Sequence, residues 1–243
     1  MKKAFLLAAG SGTRLRPLTN VMPKCLLPIQ GVPLLKIWLE NCEAAGIREV
    51  LINVHSHPEK FRSFVSKSNS AVKVHIAEEK TLLGSAGTLA EHQSFVAGED
   101  AFFVLYGDVL TNMSLLEMLA FHQSRKELVS LAIHQVSDAT QCGVVSLDNK
   151  AVIKAFKEKP KHPESNWAFS GVMIAHPQVL DFVPMKRPAD IGFHLLPMLA
   201  GKMAAFKISG YLLDIGTLQN YAAAQSSWPG LPKRSKEIEC CGE

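Results

Sequence analysis

Leu6-Leu7-Ala8-Ala9-Gly10-Ser11-Gly12-Thr13-Arg14-Leu15-Arg16-Pro17-Leu18 closes a short apolar run on two glycines and a threonine, then turns basic. Residues 4–9 are apolar over too short a stretch for a helix, so they read as a strand that the glycines end. Without a Cβ in the way, glycine N–H groups can approach phosphate oxygens or the edge of a base. Arg14, Arg16 and Lys24 place three positive charges within a short span, as a polyphosphate would require. The string has neither the G-x-x-x-x-G-K-[ST] spacing of a P-loop nor the third glycine of the dinucleotide fingerprint. On its own it reads more readily as a surface turn with solvated arginines.

Working outward, residues 50–54, 72–77 and 102–106 are further short apolar runs, the pattern of strands covered on both faces. Between the first two strands, Pro33 opens a segment with Leu35, Leu39, Cys42 and Ala45 on one helical face, and Gly46 stops it. A second helix follows Gly84, with Ala86, Leu89, Ala90 and Phe95 broadly on one face, and a third spans 114–125. The first half, about 1–127, is therefore α/β and doubly wound. Beyond it the strands shorten, at 129–134, 144–147, 151–156 and 168–174, which predicts a mixed, partly antiparallel extension. Helical patterns return at 191–200 and 216–226, flanking a strand near 211–214. Residues 228–243 carry Pro229, Gly230 and Pro232 and no periodicity, and read as a disordered tail. No hexapeptide repeat marks a left-handed β-helix.

Composition narrows the classes. The 243 residues are 47% hydrophobic and 20% charged, and no run approaches the roughly 20 apolar residues of a membrane span. The apolar N-terminus is short and passes straight into the glycine turn, unlike a signal peptide. A net charge of +4 without a Lys/Arg run or interleaved aromatics argues against a nucleic-acid groove and suits a small anionic substrate. Five cysteines, an odd number with no C-x-x-C pair, argue against a disulfide framework and for a reducing cytoplasm. His55-x-His57 has no nearby Cys/His partner and reads as a solvated pair rather than a zinc site.

Four more strings bear chemistry. Leu83-Gly84-Ser85-Ala86-Gly87-Thr88 puts small residues at a helix start, where a flat base can lie against the backbone and amides face an anion or carbonyl. Phe102 to Asp108 is an apolar strand that delivers a carboxylate to the C-terminal edge of the sheet, where open α/β sheets bind ligands. Phe156-Lys157-Glu158-Lys159-Pro160 offers a carboxylate for sugar hydroxyls and an ammonium for a phosphate. Tyr211-Leu212-Leu213-Asp214-Ile215-Gly216-Thr217 presents another strand-end carboxylate. Each, taken alone, also fits an ordinary turn, cap or charged surface.

Taken in order with Pro23-Lys24, these strings resemble the sugar-phosphate nucleotidylyltransferases, which join a nucleoside triphosphate to a sugar 1-phosphate. The resemblance implies a Rossmann-like doubly wound mixed sheet of the GT-A-like kind with a sugar-binding insertion. It implies one domain over 1–227, with a nucleotide half at about 1–127 and a sugar-phosphate half at 128–227. Carried over residue by residue, Ala8, Ala9, Gly10, Gly12, Thr13, Gly84 and Gly87 would bind the nucleotide. Arg14 would meet the β and γ phosphates and Lys24 the α-phosphate region, while Asp108 and Asp214 would hold Mg²⁺. Glu158 would read the sugar and Lys159 its 1-phosphate, with Gly143 and Gly171 beside them.

The catalytic set is then Arg14, Lys24 and Lys159. Departures from the family pattern are Cys25 for proline, Ser85 for threonine, Tyr211 for tryptophan and Leu218 for proline, together with Cys142 for tyrosine and Ser170 for asparagine where sugar hydroxyls would be read. GTP with mannose 1-phosphate fits these loops best. The alternatives are another NTP paired with a glucose, manno-heptose or amino-sugar phosphate, or a non-catalytic sugar-nucleotide-binding subunit. A glycosyltransferase would carry a D-x-D motif, whereas Val109 and Leu110 follow Asp108. A homo-oligomer is compatible with all of these readings.

Overall fold

The computed structural model describes residues 1–232. In chain order its strands and helices are β1 (Lys3–Leu7), β2 (Pro28–Ile29), β3 (Val32–Pro33), α1 (Leu34–Ala44), β4 (Glu49–Val54), α2 (Pro58–Lys67), β5 (Lys73–Glu78), α3 (Ser85–Glu91), β6 (Phe102–Tyr106) and β7 (Val109–Thr111). There follow α4 (Leu115–Gln123), β8 (Val129–Gln135), β9 (Gly143–Leu147), β10 (Ile153–Glu158), β11 (Trp167–Ala175), β12 (Met203–Lys207), β13 (Leu212–Asp214) and α5 (Leu218–Ser227).

One mixed sheet organises the molecule. β5, β4, β1 and β6 lie side by side and parallel. β11 then pairs antiparallel with β6, and β8 antiparallel with β11, with β12 parallel to β8 at the far edge. The hairpin β9–β10 joins through the start of β11, where Ala168 pairs with Val144. The register explains the unbroken apolar runs. Along β1, Ala4 and Leu6 enter one core with Leu35, Trp38 and Leu39 of α1, while Phe5 enters the other with Ala86 and Leu89 of α3. Successive side chains point to opposite faces and both faces are covered, so every position must be apolar.

Several elements differ from the sequence reading, each for a local reason. α2 has a single fully buried residue, Phe61, so its apolar signal is faint. The stretch 191–200 is no α-helix: it runs as a π turn over Ile191–Leu195 and a 3-10 turn over Leu196–Leu199, because Pro197 has no N–H to continue an α ladder. The chain is also ordered past 227. Trp228 is 8% exposed, packs edge-on against Tyr211 and accepts a 2.9 Å bond from Gln30, and Leu231 rests on the same core. Residues 228–232 thus do not belong to a disordered tail, and the rest of that expectation, 233–243, lies outside the described residues.

Candidate active site

The C-terminal ends of the parallel neighbours β1 and β6 meet at the centre of the sheet, where Gly107 N donates to Leu7 O at 2.9 Å. A Cβ on Gly107 would sit 2.9 Å from that carbonyl, so glycine suits this close approach. From it the Gly10–Gly12 loop runs into the cleft. Gly10 is exposed and a Cβ there would meet nothing within 4 Å, so open space, and not packing, surrounds it. Gly12 adopts φ +62°, the left-handed conformation that glycine favours, and its carbonyl accepts from Thr19 at 2.7 Å. Thr13 and Arg14 open the following 3-10 turn, both exposed, while Leu15 anchors it in the core.

Asp108 and Asp214 are brought together by β7 and β13, which pair antiparallel with Asp214 opposite Val109. Ile215 N also donates to Asp108 O at 3.0 Å. Neither aspartate caps a helix. Thr217 caps α5 by accepting from Asn220 N, which leaves Asp214 to accept from Gly216 N at 2.5 Å. Lys24 Nζ reaches Asp108 Oδ2 at 2.8 Å. A Cβ on Gly216 would lie 2.6 Å from Asp214 Oδ1, 3.0 Å from Arg14 Nη2 and 3.3 Å from Lys24 Nζ. One carboxylate and two cations thus surround one bare backbone position, and Lys24 links them to the second carboxylate, Asp108. The Asp214 carboxyl is raised above its usual range, first by lost hydration and then by the Asp108 charge, against the pull of Lys24, the Gly216 N–H and Arg14.

Glu158 ends β10 opposite Gly143 on β9. Its carboxylate occupies the space that side chains on Gly143 and Gly192 would fill. Burial raises the Glu158 carboxyl and the nearby Asp190 raises it further, with Lys159 opposing. Lys159 leaves the strand at φ +46° with an exposed side chain, its N–H bonded to Cys142 O at 2.9 Å. Gly171 at φ +80° gives the Tyr106 ring room, and Tyr106 packs edge-on to Phe169. Burial pushes the Tyr106 phenol up, the charges of Asp190, Glu158 and Asp108 push it further, and a bond with Ser85 opposes them. Ser170 is no reader of sugar hydroxyls: it is 4% exposed and its hydroxyl is spent on Ala132 O at 2.8 Å.

The Gly84–Gly87 loop also differs from expectation. Its Ala86 and Gly87 amides do face a carbonyl, but that of Ala189, at 2.9 and 3.0 Å. Behind the loop runs a buried polar chain that the sequence reading missed. Ala8 N donates to Asn53 Oδ1 at 2.7 Å, Asn53 Nδ2 to Glu79 Oε1 at 2.8 Å, Thr88 Oγ1 to the same oxygen at 2.5 Å, and Leu83 N to Glu79 Oε2 at 3.1 Å. It ties the end of β1 to the loop. Asp190 is the other missed residue.

Residues 3–229 match the nucleotidyl transferase family. The chain belongs to that family. Among relatives of this nucleotidyl transferase, mannose-1-phosphate guanylyltransferase 1 of Arabidopsis thaliana is 32% identical over 226 residues, 90% of this chain and 62% of the plant protein. The mannose-1-phosphate guanyltransferase of Schizosaccharomyces pombe is 31% identical over 226 residues, again 90% and 62%. The chain thus spans under two thirds of the length of these relatives. An apo UDP-glucose pyrophosphorylase superposes with a TM-score of 0.81 over 93% of this chain and 97% of its own, at 22% identity. The mixed sheet is accordingly the family's fold, as the sequence reading expected.

Proposed function

We propose that this nucleotidyl transferase moves a nucleotidyl group from an NTP to a sugar 1-phosphate, giving an NDP-sugar and pyrophosphate, with GTP and mannose 1-phosphate as its pair. The gathering of Arg14, Lys24 and Asp214 around Gly216, with Asp108 bonded to Lys24 and with Glu158 and Lys159 at the end of β10, supports the reading. The names of the curated relatives support the choice of base and sugar.

In this reaction a sugar-phosphate oxygen forms a bond to the α-phosphorus while the bond to the β-phosphate oxygen breaks and pyrophosphate leaves. The nucleophile is already an anion near neutral pH, so no base is needed. The obstacle is repulsion between anions, and the protein's work is positioning and charge compensation. Arg14, exposed at the glycine loop, takes the β and γ phosphates. Lys24, oriented by its bond to Asp108, meets the α-phosphate, and Lys159 meets the sugar 1-phosphate while Glu158 accepts from its hydroxyls. Ala8, Ala9, Gly10, Gly12 and Thr13 present backbone to the nucleotide, with Gly84 and Gly87 on its base side and Gly143 and Gly171 shaping the sugar side.

The donor set at Asp108 and Asp214 fits Mg²⁺. Two hard carboxylates, one of them raised first by burial and then by the charge of the other, suit a cation, and Mg²⁺ typically takes one or two carboxylates and completes its shell with phosphate oxygens and water. When bound, it supplies countercharge to the phosphates. The cytoplasm remains our reading of the compartment; Cys25, Cys42 and Cys142 are free thiols, and no helix among the described residues is long and apolar enough to cross a membrane.

Pyrophosphate release across a grid of NTPs and sugar 1-phosphates, with Mg²⁺, tests the proposal. Release with GTP and mannose 1-phosphate is expected. Release with a different pair would reassign the substrates, and silence across the grid alongside tight GDP-sugar binding would overturn catalysis.

A further inference from the structure

The residues around Asp190 lie against the Leu83–Gly87 loop. Ala189 N donates to Leu83 O at 2.9 Å, and Ala189 O accepts from Ala86 N and Gly87 N. Gly84, at φ +78°, makes this possible, because a Cβ there would collide with the Ala189 carbonyl. Ser85 adds a side-chain link to this backbone docking. Its hydroxyl donates to Asp190 Oδ2 at 2.9 Å and accepts from Ile191 N at 2.7 Å, two bonds to the same facing segment, with the Tyr106 phenol on its other side.

The other Asp190 oxygen faces the opposite way. Oδ1 accepts from Gly192 N at 2.8 Å and from Phe193 N at 3.1 Å, holding the first turn of the π segment. Gly192 in that turn backs onto Glu158: a Cβ on it would collide with Glu158 Oε2 and come within 3.3 Å of Asp190 Oδ1. One carboxylate therefore fixes the loop assigned to the base with one oxygen and the turn behind the sugar-reading carboxylate with the other.

We propose that Asp190 is a positioning residue, latched through Ser85 to the nucleotide loop, that makes nucleotide and sugar-phosphate binding favour each other. The inference rests on the function proposed above. Ile191 and Leu195 anchor the π turn in the core while Phe193 on its outer side is exposed, so the Asp190 bonds to Gly192 and Phe193 decide how that outer side lies beside Glu158. A nucleotide that orders the Gly84–Gly87 loop orders Ser85, hence Asp190, hence the turn beside Glu158. The sugar phosphate then binds a surface already in place, and reciprocity requires the same gain in the other direction.

The test is calorimetric titration of mannose 1-phosphate, with and without Mg²⁺ and a GTP analogue whose α–β bridge cannot be cleaved. In the wild type the analogue tightens sugar-phosphate binding by roughly fivefold or more, the lower end of ordinary coupling. Ser85→Ala and Asp190→Asn reduce that factor below about twofold while the analogue's own affinity stays within about threefold, and Ser85→Thr, which keeps the hydroxyl, restores it. Asp190→Asn retains a carbonyl oxygen to cap Gly192 and Phe193, so it should fold, and a thermal melt checks this. Hydrogen exchange gives a second readout: the analogue alone slows exchange at the Ile191 and Gly192 amides in the wild type but not in Ser85→Ala. Full coupling in both variants, or none in a wild type that binds both probes, would overturn the latch alone. A wild type that bound neither probe would overturn the functional reading and the latch with it.

Discussion

Lys24 Nζ lies 2.8 Å from Asp108 Oδ2, joining the turn after the glycine loop to the end of β6 across 84 residues of sequence. The lysine is 12% and the aspartate 31% exposed, so the pair stands at the wall of the cleft and not in the core. Truncating Asp108 frees Lys24 to swing and leaves Asp214 as the sole carboxylate at the centre. Asp108→Ala should therefore keep its melting temperature within a few degrees while turnover falls about a hundredfold or more, the cost of losing one charge-stabilising contact of about 3 kcal/mol. Steady-state pyrophosphate release and a thermal melt on the same preparation check both halves, and undiminished Mg²⁺-dependent turnover would remove Asp108 from the site.

Gly216 supplies a sharper probe, because the change removes no functional group. An added methyl must push aside Asp214 Oδ1, Arg14 Nη2 or Lys24 Nζ, all within 3.3 Å of it. Displacement of such groups by about 1 Å can cost about a hundredfold in rate. Gly216→Ala is expected to lower kcat/KM by about ten- to a hundredfold while the fold is retained.

What the sequence disclosed and what it hid divide along physical lines. The strands of the parallel half were legible because residues such as Phe5, Val104 and Leu105 are apolar on both faces of a covered sheet. The strand-end acids were legible because Gly-Asp and Asp-Ile-Gly-Thr stand at the ends of such runs. Asp190 and Glu79 were not, since what makes each matter is contact across 105 and 9 residues with Ser85 and Thr88, and no local pattern announces those partners. Ser170 misled for the complementary reason: its place in the string is the family's, but its hydroxyl turns to Ala132. Trp228 looked like tail because the glycine and prolines around it break periodicity, although its ring is buried.

The raised Glu158 carboxyl carries a pH signature. Burial comes first and Asp190 second, opposed by Lys159, so its folded pKa stands above the ordinary 4.5. In the interval above 4.5 the folded state holds more protons than the unfolded chain, so stability is fullest below that interval and declines as pH rises through it. Function runs the other way, because only the ionised carboxylate accepts from sugar hydroxyls without a competing proton. KM for the sugar phosphate should climb as pH falls through the raised pKa. In Glu158→Gln that inflection should vanish, on a KM that is higher throughout, whereas the same inflection surviving in the variant would assign it to another group.

Glu79 tests the architecture behind the nucleotide loop. It is 6% exposed and accepts three bonds, from Asn53, Thr88 and Leu83 N, and Asn53 passes the connection on to Ala8 at the end of β1. Alanine would orphan the Leu83 N–H and leave Asn53 and Thr88 only their longer bonds, to Thr88 Oγ1 at 3.0 Å and Gly84 O at 3.2 Å, each unmade bond costing about 1–3 kcal/mol if left dry. With some of that recovered by water entering the gap, a net loss of about 3 kcal/mol is expected. Glutamine is no conservative exchange here. Its amide oxygen can still face Asn53 and Thr88, but its NH₂ would then point at the Leu83 N–H, donor against donor. Glu79→Gln should thus lose stability in urea denaturation almost as Glu79→Ala does. Both should raise KM for the NTP more than for the sugar phosphate, because the chain they break ends on the two segments to which we assign nucleotide binding. Equal effects on the two KM values would show that Glu79 supports the fold alone.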